Sequence, residues 1–129
     1  MALNIRTLLD GPRKVIRRIT ATESSESDSV AVDLSALTGN VPGKTLSHLV
    51  IEEVWYSIAG YEFVVLEFDA TTDSEGLRLS GDGYIDMRDY GGLVDPQASG
   101  STGDILLTAT TTASGDSLNI LIVCRKKYA

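Results

Sequence analysis

Three carboxylates, Asp82, Asp86 and Asp89, fall within the nine-residue stretch GDGYIDMRD (81–89), a density of acids that raises the question of a calcium loop. The helix-loop-helix calcium site follows D-x-[DN]-x-[DN]-G-x5-E, with glycine at the sixth loop position and a bidentate acid at the twelfth. With Gly83 in the sixth place, Asp82, Asp86 and Asp89 take the fifth, ninth and twelfth, but Arg78 occupies the first and Ser80 the third. A cation where the first carboxylate belongs, a short closing acid and strand-like flanks defeat the match. The stretch reads instead as a hairpin: GLRLS, a turn at Gly81-Asp82-Gly83, then YIDMRDY. Glycine supplies the positive φ that a tight turn demands. Tyr84, Asp86 and Arg88 then share one strand face, Ile85, Met87 and Asp89 the other, and Arg78 and Arg88 are expected to pair with nearby acids.

Other chemistries find fewer of their parts. Glu52 and Glu53, or Asp86 and Asp89, are the residue types of a glycosidase acid/base pair, yet in a chain with 18 acids the type alone is no signal. His48 is the single histidine, too few for a multi-imidazole metal site, and it has no evident Ser-His-Asp support; at a strand start it reads as a surface or hydrogen-bonded residue. Cys124, the one cysteine, lies inside ILIVC and reads as a small buried apolar residue; no internal disulfide is available. Neither GxxxxGK nor GxGxxG occurs, so no phosphate cradle is marked. The sequence predicts no enzyme, no cofactor and no resident metal.

The 129 residues are 43% hydrophobic and 22% charged, which suits one domain with a single core. Charges interrupt the apolar stretches at both ends before signal-peptide or membrane-spanning length, so a soluble protein made in a cytoplasm is expected.

Apolar residues recur with period two or in short runs, as strands require. In VAVDL, Val30, Val32 and Leu34 share a face; in SHLVIEEVWYSI, Val50, Val54, Tyr56 and Ile58 do, with Glu52 among them and Ile51 and Trp55 opposite. YEFVVLEFDA follows a short turn at Ala59-Gly60, which suggests a hairpin with Val64, Leu66 and Phe68 inward. DILLTATTT sets Ile105, Leu107 and Ala109 inward against Thr108, Thr110 and Thr112 outward, and Ile120 to Cys124 are apolar on both faces, as in a central strand. Turn-rich breakers separate these runs at the spacing of about eight strands, giving an all-β, single antiparallel sandwich of jelly-roll-like type. A short helical turn is allowed at RTLLD or at LSALTGN, the latter capped by Asp33 or Ser35. Residues 1–12 end at Gly11-Pro12 and read as an N-terminal arm before a domain over 13–129.

Charge is partitioned along the chain. Residues 1–18 and 125–129 hold 8 of the 11 basic residues and 1 of the 18 acids, so a −14 body lies between ends that sum to +7. Such a split favours self-association, docking on an acidic surface, or pairing of the ends with acids of the same molecule. GPRKVIRRIT carries cationic and apolar groups on both faces, which suits a subunit boundary. The candidate assembly residues are therefore Leu3, Ile5, Arg6, Leu8 and Leu9 in the arm, Arg13, Lys14, Arg17 and Arg18 after it, Tyr90 in the long loop YGGLVDPQASGSTGD, and Lys126 and Lys127 at the end. Aromatic residues are not interleaved with the basic ends, so no dedicated nucleic-acid surface is expected.

LLDGPRKVIRRIT, IEEVWYSIAGYEFVVLEFDATTD, GDGYIDMRDYGG with STGDILLTATTTASGDS, and the terminal RKKYA occur in the order in which similar short motifs recur in small tailed-bacteriophage virion structural proteins. The chain resembles that group from about Leu8 to Ala129. The resemblance implies a virion component with no catalytic residue, similar to capsid decoration or cement proteins, with the major capsid protein and copies of itself, as a trimer, for partners. Neck, tail and baseplate roles fit the same motifs. A surface receptor- or carbohydrate-binding sandwich, with Tyr56, Tyr61, Tyr84 or Tyr90 stacking on sugar, is the other class to be weighed.

Overall fold

Among the described residues the alternating pattern folds into ten strands: β1 (Asn4–Asp10), β2 (Lys14–Thr22), β3 (Glu26–Val32), β4 (Leu46–Ala59), β5 (Phe63–Phe68), β6 (Ser74–Leu79), β7 (Asp82–Asp86), β8 (Leu93–Val94), β9 (Ile105–Thr110) and β10 (Ser117–Tyr128). The structure, a computed structural model, describes residues 3–111 and 115–129; Thr112, expected to face outward, lies outside the described residues. The larger sheet runs β1-β2-β10-β4-β7, with β8 also on β4, and the smaller runs β3-β9-β5-β6. Strands pair as nested antiparallel partners, β2 with β10, β3 with β9, β4 with β7 and β5 with β6. That nesting is the wrapped ribbon of a jelly roll, to which β1 adds an outer edge strand and β8 a short patch.

The core forms where the alternation says it should. Val64, Leu66 and Phe68 of β5 and Ile105, Leu107 and Ala109 of β9 are buried, facing Val15, Ile19, Ile51, Val54, Ile120 and Ile122 from the larger sheet. β10 is flanked on both sides by long ladders, and its run from Ile120 to Cys124 is buried except at Leu121, which is half-buried. Burial drives the Cys124 thiol pKa strongly upward, leaving a packed, protonated side chain.

Several local expectations are corrected. The turns at Ala59-Gly60 and Gly81-Asp82-Gly83 are not hairpins: β4 and β7 belong to the larger sheet, β5 and β6 to the smaller, so each turn carries the chain across the sandwich. Gly60 and Gly81 do take the left-handed backbone, with φ of 85° and 67°, but Gly83 does not; a side chain there would strike the Tyr56 hydroxyl. Two of the register shifts change the expected strand faces. In β3 the register slips between Val30 and Val32, so Val30 turns out at 45% exposure while Val32 is buried. In β4, Ile51 pairs Cys124 and Glu53 pairs Val123, leaving Glu52 as the extra residue. LSALTGN supplies the short helical turn (a 3-10 turn at Leu34–Ala36), with the Asp33 carboxylate accepting from Ser35 N at 3.0 Å; RTLLD is strand.

Residues 4–10, read as an arm, are the edge strand of their own subunit, paired with β2 from Asn4 against Thr20 to Asp10 against Val15 with a register shift between Thr7 and Leu9. Asp10 anchors the end of that strand. Its Oδ2 accepts from Thr38 N at 2.8 Å, while Lys126 Nζ donates to Asp10 Oδ1 and, at 2.8 Å, to Asn40 Oδ1. Gly39 packs so closely here that a β-carbon would lie 2.0 Å from the Asp10 carbonyl oxygen. Lys126, expected at an assembly surface, is instead fully buried inside this knot.

Candidate functional site

The outer face of the larger sheet gathers most of the groups able to bind something. Its rows follow from the ladders: Tyr84, Trp55, Leu121, Arg18 and Arg6 lie side by side across five strands. Trp55 and Tyr84 stack with ring centroids 4.6 Å apart and planes 21° apart, while remaining 40% and 46% exposed. Beside them a shallow depression of about 330 Å³ is lined by Arg18, Trp55, Tyr56, Ser57, Gly83, Asn119 and Leu121. Such a surface is rigid because each residue sits on a strand bonded on both sides, except at the edges.

Next along β4 from Trp55, two adjacent acids organise the charges. Glu52 takes Lys14 Nζ at 3.1 Å and Arg125 Nη1 at 2.8 Å, and Arg125 also donates to Gly91 O. Glu53 Oε1 accepts from the Tyr84 hydroxyl at 2.6 Å and lies 3.6 Å from Arg88 Nη2. Arg88 grips Asp86 with two parallel bonds of 2.9 Å, the forked geometry that guanidinium and carboxylate favour. The hydrogen bond to Glu53 pushes the Tyr84 hydroxyl up to about 12, and the bonds from Arg88 hold Asp86 down to about 2. Both glutamates are thus committed to cations and a phenol that hold neighbouring strands, and Asp82 is committed to the Ser57 hydroxyl at 2.9 Å. The aromatic stack, Arg18 and Asn119 are what the face offers outward.

The smaller sheet presents a second group on its outer face. Asp28, Glu67 and Asp73 have carboxylate oxygens within 4.8 Å of one another, with the Thr108 hydroxyl 3.2 Å from Asp28 and 2.9 Å from Glu67. Burial, followed by the charges of Asp28 and Asp73, outweighs the Thr108 bond and raises the Glu67 carboxyl above its ordinary value.

The expected assembly residues divide among three environments. Leu3 and Ile5 pack against the core, and Lys14 is half-buried on Glu52. Arg6, Arg13, Arg18, Lys127 and Tyr90, the last 70% exposed, are at the surface, as are Leu8 at 48% and Leu9 at 47%. Arg17 turns toward the interior between Val15 and Ile19, half-buried. Of the tyrosines proposed for sugar stacking, Tyr61 is excluded by burial, its hydroxyl donating to Ser24 O at 2.8 Å. The residue the sequence reading passed over is Trp55. Its signal was present: at period two it is flanked by Glu53 and Ser57, a polar strand face on which a tryptophan has no core to fill.

No family model matches the chain, and no curated protein or solved structure matches it at a significant level.

Proposed function

We propose that this chain is a non-enzymatic structural protein of a tailed-bacteriophage virion that decorates the head, attaching to the major capsid protein through the outer face of its larger sheet. The observation that carries the proposal is the Trp55–Tyr84 stack, about half-exposed on the outer face of the larger sheet. Tryptophan and tyrosine are among the side chains that dominate binding energy at protein interfaces. The ordered run of motifs from LLDGPRKVIRRIT to RKKYA supports the virion setting. Many copies on one shell would add weak contacts into stable attachment against internal DNA pressure. A neck, tail or baseplate position uses the same surface against a different partner.

A second reading has its own observation. The depression beside Trp55 offers an aromatic wall with the Arg18 guanidinium and the Asn119 amide, a combination that also suits a sugar ring. Pelleting of the purified protein with DNA-emptied heads of the phage that encodes it, set against binding to a glycan array, separates the two. Saturable pelleting without glycan binding is the expected result; glycan binding without pelleting favours the receptor reading.

A further inference from the structure

Six basic residues, Arg6, Arg13, Arg17, Arg18, Lys44 and Lys127, make no side-chain ion pair or hydrogen bond within the described residues, whereas Lys14, Arg78, Arg88, Arg125 and Lys126 are all paired. Four of the six belong to the β1–β2 hairpin at one edge of the larger sheet. Arg6 and Arg18 lie directly opposite each other across that ladder, a like-charge pairing that destabilises a sheet unless something neutralises it. Arg17 points the other way, into the sandwich between Val15 and Ile19, and takes no part in that outward surface. The outward pair of Arg6 and Arg18 has no anionic partner among the described residues.

The outer face of the smaller sheet has the opposite need. It carries Asp28, Glu67 and Asp73 close together, and no described residue forms an ion pair with any of them. Arg78, the cation of that face, is held by Glu75 at 2.9 Å. The hairpin and this face belong to different sheets of the sandwich.

We propose that the two surfaces meet between copies of this chain: Arg6 and Arg18 of the β1–β2 hairpin dock on the acidic outer face of the smaller sheet of the next molecule. A nucleic acid would satisfy the arginines and leave the acids, and a divalent cation would do the reverse. A second copy satisfies both with one contact, and the planar guanidinium fork suits clustered carboxylates. Because the two patches differ, the contact is head-to-tail, closing into a ring or continuing as a chain according to the rotation it imposes. This inference names a copy-to-copy contact and does not depend on the particle to which the chain attaches.

The test is sedimentation velocity of the full chain over a concentration series, in low and high salt, with EDTA or with calcium. Self-association is expected in low salt and is expected to weaken by at least about tenfold in Arg6→Glu/Arg18→Glu and in Asp28→Arg/Glu67→Arg. Combining all four substitutions in one chain is expected to restore it, since each like-charge clash becomes an attraction again. The milder Arg6→Ser/Arg18→Ser, checked for native circular dichroism, gives the same reading if a reversal disturbs folding. A wild-type chain that stays monomeric, association indifferent to the arginines but dependent on calcium, or a four-fold swap that fails to recover would each overturn the contact. No heads enter the assay, so failure of shell attachment leaves its result intact.

Discussion

Lys126→Ala is expected to lower the free energy of unfolding by about 3–5 kcal/mol, the usual cost of removing one partner from a buried ion pair. The side chain of Lys126 is 0% exposed, and its ammonium joins Asp10 at the end of β1 to Asn40 in the loop before β4. Without it the Asp10 carboxylate stays largely enclosed, keeping the amide and hydroxyl of Thr38 and the amide of Gly39 as donors. Burial alone would raise the Asp10 carboxyl, but the Lys126 bond with the amides of Thr38 and Gly39 outweighs it, and the net shift is downward from 3.8. A lowered acid contributes stability above its unfolded pKa and loses it as pH falls through the folded one. The gap between wild type and variant, measured by urea unfolding, is therefore expected to be full at neutral pH and to shrink below about pH 4. Asp10→Asn combined with Lys126→Met removes both charges while keeping volume, and is expected to recover part of the loss. A neutral-pH loss under about 1 kcal/mol would show that the knot does not tie the edge strand to the sandwich.

The second large effect falls on binding. Trp55→Ala with Tyr84→Ala is expected to weaken attachment to emptied heads by at least about 30-fold, the scale of a lost interface hot spot. Both rings project from the outer face and neither belongs to the core, so the fold should persist with a small change in melting temperature. Tyr84→Phe isolates the hydroxyl that bonds Glu53; because the stack remains, most of the attachment should remain as well. Unchanged pelleting by the double variant would move the attachment surface elsewhere on the molecule.

How far the residues announce this arrangement depends on the range of the interaction that decides each feature. Alternation in β5 and β9 and the doubly apolar run of β10 are local, and the inward set of Val64, Leu66, Phe68, Ile105 and Leu107 is readable directly. Gly60 and Gly81 announce turns through the need for positive φ, but the same local geometry serves a hairpin or a crossing between sheets. Only the remote pairing of β4 with β10 and of β5 with β9 decides which. The Glu52 bulge reverses the phase of β4 in mid-strand, so a period-two reading that is sound at Val54 fails at Ile51. Lys126 looks like part of a basic tail because its partner, Asp10, is 116 positions away. Trp55, by contrast, was legible from its neighbours, since a large aromatic between Glu53 and Ser57 on a strand announces a surface that expects to be covered.

The most direct test of the proposed role is the position of this chain in a density map of the virion. Copies on the outside of the head, with the Trp55–Tyr84 face turned against the major capsid protein, are the expected result. Absence from the particle, or a location with that face open to solvent in every copy, would contradict it.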